Sequence, residues 1–357
     1  MLEEPAKIAR LAWTIARKGM FHCNIQVHYH CNFQCAICDF WKEPYTSMPS
    51  LSAADIRLIA DKIRPLGPQS MCVSGGEPLM HPEILDITST MSREHFLVLI
   101  CNGWFVTPEL ARELFRTGIY EVNISVDYAN AAQHDALRAK EGAFDRAVAA
   151  LETLFANRVR KDQRVHMNSV IMADNLDQIE ELTKICKKIG ITHLITFYCG
   201  NRGTMQRAQD PKETVRRLQD IKKRYPNFVV LPGFIERFAE AGQDGKGVAD
   251  CYTGKNLFVV DCQGNITRCL DWLDKPVGNI LHEDLNPLMQ RLHEQFATMP
   301  CADCWTSCRG NVESLLYGKH RLRDWRAYYE IVKDVPFVAG PGSAAAGPGP
   351  LPAGPRP

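Results

Sequence analysis

The sequence lacks the features that mark membrane, secreted and nucleic-acid-binding proteins. No apolar run is long enough to cross a bilayer, so no transmembrane helix is predicted. The formal net charge of the 357 residues is only +1, which gives no reason to expect a nucleic-acid partner. The N-terminal segment mixes acidic and basic residues with the apolar ones and shows no small-residue cleavage site, which argues against a signal peptide. A cytoplasmic protein is therefore expected.

Cysteine, in contrast, is abundant, with 14 residues. In a chain of this size without an export signal, metal-binding thiolates are expected more than disulfides. Nine of the cysteines fall into two groups, an N-terminal group (Cys31, Cys35, Cys38) and a C-terminal group (Cys251, Cys262, Cys269, Cys301, Cys304, Cys308). The scattered remainder needs no function, because buried thiols pack as small apolar side chains.

Short apolar runs alternate with helical patterns through most of the chain. Strands are predicted near 22–29, 70–74, 95–101, 120–126, 164–172 and 192–199, and helices near 52–65, 81–91, 107–117, 130–157 and 175–189. This alternation predicts parallel pairing in βαβ units. A six-stranded partial (β/α)6 barrel of the TIM type fits, and so does a doubly wound open sheet. In both α/β architectures, ligands bind at the carboxyl ends of the strands.

Composition divides the chain into four segments. An amphipathic helix is predicted over 1–19 and the partial barrel over 20–230. A small cysteine-rich α+β appendix with a hairpin at 257–270 is predicted over 240–335. Residues 339–357 are rich in Gly, Pro and Ala and are expected to be disordered.

The N-terminal cysteines directly follow the first predicted strand, with the spacing Cys-x3-Cys-x2-Cys. Three thiolates from one tight loop cap three irons of a [4Fe–4S] cubane and leave the fourth iron open for chemistry. Zinc is the alternative, but a zinc site usually takes four closed ligands and this triplet lacks the fourth. The spacing therefore predicts a [4Fe–4S] cluster held by Cys31, Cys35 and Cys38.

The triplet resembles the signature of the radical S-adenosylmethionine (radical SAM) superfamily, and three later segments match that family in order. Gly75-Gly76-Glu77-Pro78 looks like its GGEP motif, Cys101-Asn102-Gly103 resembles TNG, and Ser125-Val126-Asp127 is similar to SVD. Each follows or ends a predicted strand. The resemblance covers about residues 20–205. It implies seven positions that contact the cofactor, namely Gly75, Gly76, Glu77, Pro78, Asn102, Ser125 and Asp127.

The resemblance also implies the reaction. The open iron binds S-adenosylmethionine, one electron from a donor such as flavodoxin or ferredoxin cleaves the sulfonium bond, and a 5′-deoxyadenosyl radical takes a hydrogen atom from the substrate. One position departs from the family pattern. Ile37 stands where an aromatic residue usually precedes the third cysteine.

The C-terminal cysteines resemble the Twitch/SPASM appendices of part of this superfamily. The spacing Cys-x12-Gly-x4-Cys matches the start of that motif, but no cysteine follows Cys308, so one auxiliary iron–sulfur cluster of the shorter Twitch kind is expected. Its expected ligands are Cys251, Cys269, Cys301 and Cys304. Cys262 or Cys308 could replace one of them, and a zinc knuckle of the same four residues stays open as an alternative.

Other polar residues near the predicted site have simpler interpretations. His22, His28 and His30 alternate along the first strand and are expected to pack or to form hydrogen bonds. Arg202 follows the sixth strand and is either a carboxylate-binding group or a surface arginine.

Three functions fit these patterns. The first is radical chemistry on a small molecule or lipid, with dehydrogenation completed by an electron transfer to the auxiliary cluster. The second is a maturase that crosslinks a ribosomally made peptide. The third, a non-catalytic iron–sulfur or zinc protein, would leave the cofactor-facing motifs without a purpose. Only about twenty residues precede the first strand, whereas many such maturases carry a leader-binding module there, so a small molecule or lipid is the expected substrate.

Overall fold

The computed structural model describes residues 4–240, 248 and 251–333, which form nine strands and twelve α-helices. The predicted tail at 339–357 lies outside these residues. The strands are β1 (His22–Gln26), β2 (Ser70–Ser74), β3 (Phe96–Cys101), β4 (Glu121–Ser125), β5 (Arg164–Ile171), β6 (Thr192–Phe197), β7 (Leu257–Val260), β8 (Asn265–Thr267) and β9 (Gly278–Asn279). The helices are α1 (Glu4–Ala16), α2 (Ala53–Ile63), α3 (Ile84–Ser92), α4 (Pro108–Arg116), α5 (Ala131–Arg138), α6 (Ala143–Ala156), α7 (Ile179–Ile189), α8 (Pro211–Arg224), α9 (Pro232–Phe238), α10 (Leu285–Thr298), α11 (Ser307–Leu316) and α12 (Arg321–Lys333).

All nine strands belong to one sheet, in the order β6-β5-β4-β3-β2-β1-β7-β8-β9. Strands β1 to β6 are parallel and follow one another in chain order. A doubly wound sheet reverses its order at a switch point, whereas a barrel does not. The sheet ends at β6, which forms an isolated parallel bridge from His193 to Phe228, and at β9, and it does not close, so the architecture is the partial (β/α)6 barrel and the doubly wound alternative is excluded.

The predicted hairpin of the appendix extends the barrel sheet. Strand β7 pairs in parallel with β1, with His22 opposite Leu257, and β8 and β9 continue the sheet antiparallel. The loop that leaves β1 therefore lies beside the hairpin. The bounds of the four predicted segments stay predictions.

Local sequence explains where the helices begin. The Ser52 side chain accepts from the Asp55 amide and the Asp55 carboxylate accepts from the Ser52 amide, which is a capping box at the start of α2. Thr107 caps α4 with Pro108 in the first turn. Both N-caps confirm the sequence interpretation.

The single helix predicted over 130–157 is wrong, because the chain breaks between α5 and α6. Ala139 and Gly142 adopt φ values of 50° and 75°. The Asp135 carboxylate accepts from the amides of Gly142 and Phe144 at 2.7 and 2.9 Å and fixes the turn. The break leaves Arg138 as the last residue of α5, where its side chain is buried.

The barrel has an apolar outer layer and a polar interior. Outward residues such as Ile25, Val73 and Ile124 join the helices in one hydrophobic core. The alternate, inward positions retain accessible surface, among them Ser74, Ser125, Asn168, Thr192 and Thr196. Because helices cover the outer face, this surface belongs to a space inside the curved sheet, which we call the lumen. No helix among the described residues is long and apolar enough to cross a membrane.

Candidate functional site

The three N-terminal cysteines lie on the loop that leaves the carboxyl end of β1. Backbone N–H groups of Phe33 and Phe40 donate to the sulfurs of Cys31 and Cys38, each at 3.4 Å. Burial raises the pKa of Cys31 to about 12 and also raises that of Cys38. Such thiols become thiolates when a metal supplies the compensating charge. N–H···S hydrogen bonds of this kind tune iron–sulfur sites.

Arg138 is a buried residue of this site that sequence reasoning missed. Its Nη1 lies 3.8 Å from the sulfur of Cys35, and its Nη2 forms an ion pair with Asp127. Asp127 is itself fixed, because its Oδ1 accepts from the Val170 amide at 2.8 Å. The ion pair thus connects one predicted cofactor residue at the end of β4 to the cysteine loop.

The two glycines of the GGEP segment are required by close backbone packing. A Cβ on Gly75 or on Gly76 would lie 2.1 Å from the carbonyl oxygen of His28 or of His30, respectively. The amides of Gly76 and Glu77 donate to those same two carbonyls at 2.8 Å. The GGEP segment is therefore hydrogen-bonded to residues 28–30, which immediately precede Cys31. Pro78 begins the short 3-10 turn that follows.

Glu77 is buried, and its carboxylate binds backbone groups. It accepts from the amides of Leu79 at 3.0 Å and Asn102 at 2.7 Å, while burial raises its pKa to about 7. The Asn102 side chain in turn donates to the Asn32 side chain at 2.8 Å. A second chain of contacts thus runs from the end of β2, through the end of β3, to the cysteine loop.

Two buried donors beside the triplet have no hydrogen-bond partner among the described residues, Asn32 Nδ2 and Arg138 Nε. Buried polar atoms of native proteins normally have a partner. Unused donors and a guanidinium next to three thiols fit an anionic group bound there, such as an iron–sulfur cluster with a carboxylate-bearing cofactor. Ser125 faces the same end of the lumen, and Ile37 packs with Leu137, Tyr128 and Tyr198.

Four C-terminal cysteines also come together. The Cys301 thiol and then the Arg309 charge lower the pKa of Cys251 to about 5, although burial opposes them. Burial, followed by charges that include those of Cys304 and Cys251, raises the pKa of Cys269. These four are the expected ligands of the auxiliary centre.

Two buried arginines accompany the four thiols. Arg309 Nη1 donates to the Cys304 carbonyl at 2.7 Å. Arg268 reaches Thr253 Oγ1 at 3.4 Å, and Thr253 Oγ1 lies 3.0 Å from the Cys251 sulfur. The Nη2 of Arg268 has no hydrogen-bond partner in the described part of the chain. Arg309 is neutralised by Glu313 at 2.7 Å, whereas the unused donor of the buried Arg268 beside four thiols fits an anionic four-thiolate centre, either a cubane or zinc.

The two spare cysteines have different surroundings. Cys262 packs against Tyr29 and Phe40, whereas the charges of Arg202 and Asp271 act on Cys308, and Asp271 also acts on Cys269 and Cys304. Within residues 4–240, 248 and 251–333, no three His, Cys, Asp or Glu side chains are close enough to share one metal ion. A cubane spreads its thiolates over separate irons.

Arg202 is neither a surface arginine nor an unoccupied anion site. Its Nε lies 3.1 Å from Asp271 Oδ1, and its guanidinium lies 4.9 Å from the centre of the Phe40 ring. The neighbouring amides of Gly203 and Thr204 donate to Asp39 and Ala36 of the cysteine loop, each at 2.7 Å. The loop after β6 therefore contacts both cysteine groups. Of the three histidines, His28 bonds the Glu77 carbonyl at 2.9 Å, and its predicted structural role is retained.

Residues 25–186 match the radical SAM superfamily. The AdoMet-dependent heme synthase of Methanosarcina barkeri is 28% identical over 169 residues, which is 47% of each chain, so that alignment spans about half of the relative. The mycofactocin maturase MftC of Mycolicibacterium smegmatis is 28% identical over 302 residues, covering 80% of this chain and 76% of that protein.

Solved structures show the same fold. Streptococcus suis SuiB bound to S-adenosylmethionine superposes with a TM-score of 0.62 at 15% identity, over 81% of this chain and 73% of that one. Native anSMEcpe with bound AdoMet superposes with a TM-score of 0.59 at 16% identity, over 87% and 96%. Taken with the ordered motifs at the carboxyl end of the barrel, the match identifies residues 25–186 of this chain as a radical SAM superfamily domain.

Proposed function

We propose that the chain is a radical enzyme that cleaves S-adenosylmethionine and abstracts a hydrogen atom from a substrate held in the lumen. The observation that carries this proposal is that two of the cofactor motifs are connected to the cysteine loop. The SVD segment is connected through Asp127–Arg138–Cys35, and the GGEP segment through Glu77–Asn102–Asn32. A reduced [4Fe–4S] cluster on Cys31, Cys35 and Cys38 would supply the electron for cleavage when bound.

In this proposal, the protein's own residues hold and orient the cofactor. Arg138 places a fixed positive charge beside Cys35, and Asp127 keeps the guanidinium in that orientation. Glu77 joins the ends of β2 and β3 by accepting from the Leu79 and Asn102 amides. The unused donors of Asn32 and Arg138 would bind the polar groups of S-adenosylmethionine. The enclosing barrel limits the access of water to a reactive intermediate.

The comparisons favour a peptide as substrate. The mycofactocin maturase alignment covers 302 residues and so extends beyond the matched domain at 25–186, whereas the heme synthase alignment covers 169. SuiB, a fold neighbour, has been solved bound to the precursor peptide SuiA. We therefore propose a ribosomally made peptide. The small-molecule substrate expected from the sequence is the second candidate, and the heme synthase relatives support it.

The second cysteine group would hold an auxiliary cluster in this proposal. A substrate radical must lose another electron to become a stable oxidised product, and a cluster closed by Cys251, Cys269, Cys301 and Cys304 would have no open iron and would serve as an electron carrier. The Arg202–Asp271 pair and the loop after β6 lie between this centre and the N-terminal cysteines.

The experiment is anaerobic reconstitution followed by reaction with S-adenosylmethionine and dithionite, with and without short peptides encoded beside the gene. We expect 5′-deoxyadenosine in all reactions, and loss of two hydrogens from one peptide by mass spectrometry. Absence of 5′-deoxyadenosine would contradict the proposed reaction. Modification of a small molecule and of no peptide would replace the peptide by the second candidate.

A further inference from the structure

Cys308, near the N-terminus of α11, lies inside the lumen. The amide of the preceding residue, Ser307, donates to Thr196 Oγ1 on β6 at 2.9 Å. The charge of Cys308 also acts on Cys72 on β2. Strands β3, β4 and β5 separate β2 from β6 in the sheet. A residue close to both strands must therefore lie within the curve of the barrel and not behind it.

The thiol of Cys308 faces an open space. Its side chain is exposed, yet surrounding protein raises its pKa by burial. Both statements hold for a group that lines an internal cavity. The charges of Arg202 and Asp271 also reach the thiol, which places it toward the carboxyl ends of the strands, where the cofactor residues converge.

A second residue marks the lumen as a place for a ligand. Asn123 on β4 is only 5% exposed. Its Nδ2 donates to the inward-facing Glu121 at 2.9 Å, so the amide points into the lumen. Its Oδ1 has no hydrogen-bond partner among the residues that the structure describes. A buried acceptor of this kind calls for a donor group from a ligand or water.

We propose that Cys308 is the hydrogen-atom donor to carbon radicals in the lumen that do not pass an electron to the auxiliary centre, such as a 5′-deoxyadenosyl radical formed without substrate, an inference that rests on the proposed function. An S–H bond is weaker than an aliphatic C–H bond, so transfer from sulfur to carbon is favourable. The S–H bond breaks, a C–H bond forms on the former radical carbon, and sulfur is left as a thiyl radical. One electron from the external reductant and one proton from water regenerate the thiol.

The test needs no identified substrate. In D2O the thiol carries deuterium, and without substrate the 5′-deoxyadenosyl radical should take it, so the wild-type enzyme should release deuterated 5′-deoxyadenosine. In Cys308→Ser the label should be lost, because an O–H bond is too strong to donate. The matched control is Cys72→Ser, a change in the neighbouring inward thiol of β2, which should keep the label. Before any turnover, iodoacetamide should alkylate Cys308 and leave the fully buried Cys186 unmodified.

Several results would overturn the proposal. Unlabelled 5′-deoxyadenosine from the wild type, or label that persists in Cys308→Ser, would remove Cys308 as donor and leave the proposed function intact. Loss of label in Cys72→Ser alone would assign the role to Cys72. Loss of iron from Cys308→Ser, or no alkylation of Cys308, would contradict its placement in the lumen. No 5′-deoxyadenosine from the wild type would overturn both this inference and the proposed function.

Discussion

Arg202 and Asp271 form an ion pair, with 3.1 Å between Nε and Oδ1, that joins the loop after β6 to the turn after Cys269. The side chains are only 27% and 15% exposed. The pair is one contact between the barrel and the hairpin region, in addition to the pairing of β1 with β7, and Arg202 lies within electrostatic reach of Cys38 in the first cysteine group and Cys269 in the second.

Removing one partner should therefore destabilise the protein. In Asp271→Ala the half-buried Arg202 loses its counter-charge, and we expect a loss of about 1–3 kcal/mol, below the range for a fully buried pair. Urea unfolding of the reconstituted protein measures it. The control is Glu213→Ala, which breaks an exposed pair with Arg216 and should leave the midpoint unchanged. Equal midpoints for both variants would show that the Arg202–Asp271 contact does not hold the two regions together.

Arg138 should contribute more, because its pair with Asp127 is buried. Arg138→Met leaves the Asp127 carboxylate without its cation, at a cost of about 3–5 kcal/mol. Arg138→Lys keeps the charge but loses the simultaneous contact with Asp127 and Cys35. Its stability should therefore lie between those of the wild type and Arg138→Met. Urea unfolding and iron content report both effects. The exposed Arg112→Met is the control. A stable Arg138→Met that binds full iron would exclude a positioning role.

The strands of the barrel could be predicted from the sequence, whereas contacts between residues far apart in the chain could not. The six predicted barrel strands occur within a few residues of their expected positions, because an alternation of apolar runs and helical patterns is a local signal. Helices α8, α9 and α11 were not predicted. Helix α11 contains Gly310, which disfavours a helix by propensity. A Cβ there would lie 2.2 Å from the Phe234 ring, so a distant residue requires this glycine.

Some features of the candidate site could likewise be predicted from local sequence, and others could not. The cysteine spacing and the GGEP segment are local patterns and could be read directly. Arg138 was hidden inside a helix predicted to be continuous, although Gly142 was an available signal for the break. The Arg202–Asp271 pair joins positions far apart in the chain, and neither residue type nor periodicity indicates such a partner.

Metal content separates the cubane from the zinc knuckle. Reconstituted wild-type protein should hold about eight iron and eight sulfide per chain, and a Cys301→Ala/Cys304→Ala variant about four of each. Cys262→Ala is the control and should match the wild type, because that thiol packs with Tyr29 and Phe40. About four iron with one zinc in the wild type would establish the knuckle and remove the electron-acceptor role.

Buried histidines should make the fold sensitive to acid. His193 is fully buried, with Ser169 Oγ and Thr183 Oγ1 each 2.8 Å from a ring nitrogen, and burial lowers its pKa to about 3. An unfolded histidine titrates near 6.5. The unfolded chain therefore binds the extra proton between these values, so the stabilisation is complete above pH 6.5 and declines as the pH falls toward 3.

From pH 7 to 5.5 this residue alone should cost about 1 kcal/mol. The stability difference between the wild type and His193→Gln, measured by urea unfolding, should narrow by that amount at pH 5.5. A difference that is the same at both pH values would mean that His193 is not held neutral.

The most direct test of the central claim is reductive cleavage of S-adenosylmethionine by a variant in which Cys31, Cys35 and Cys38 are all alanine. Under dithionite, the wild type should form 5′-deoxyadenosine, and the triple variant should form none while keeping the iron of its C-terminal centre. If the triple variant still produces 5′-deoxyadenosine, these cysteines do not hold the reactive cluster and the account is wrong.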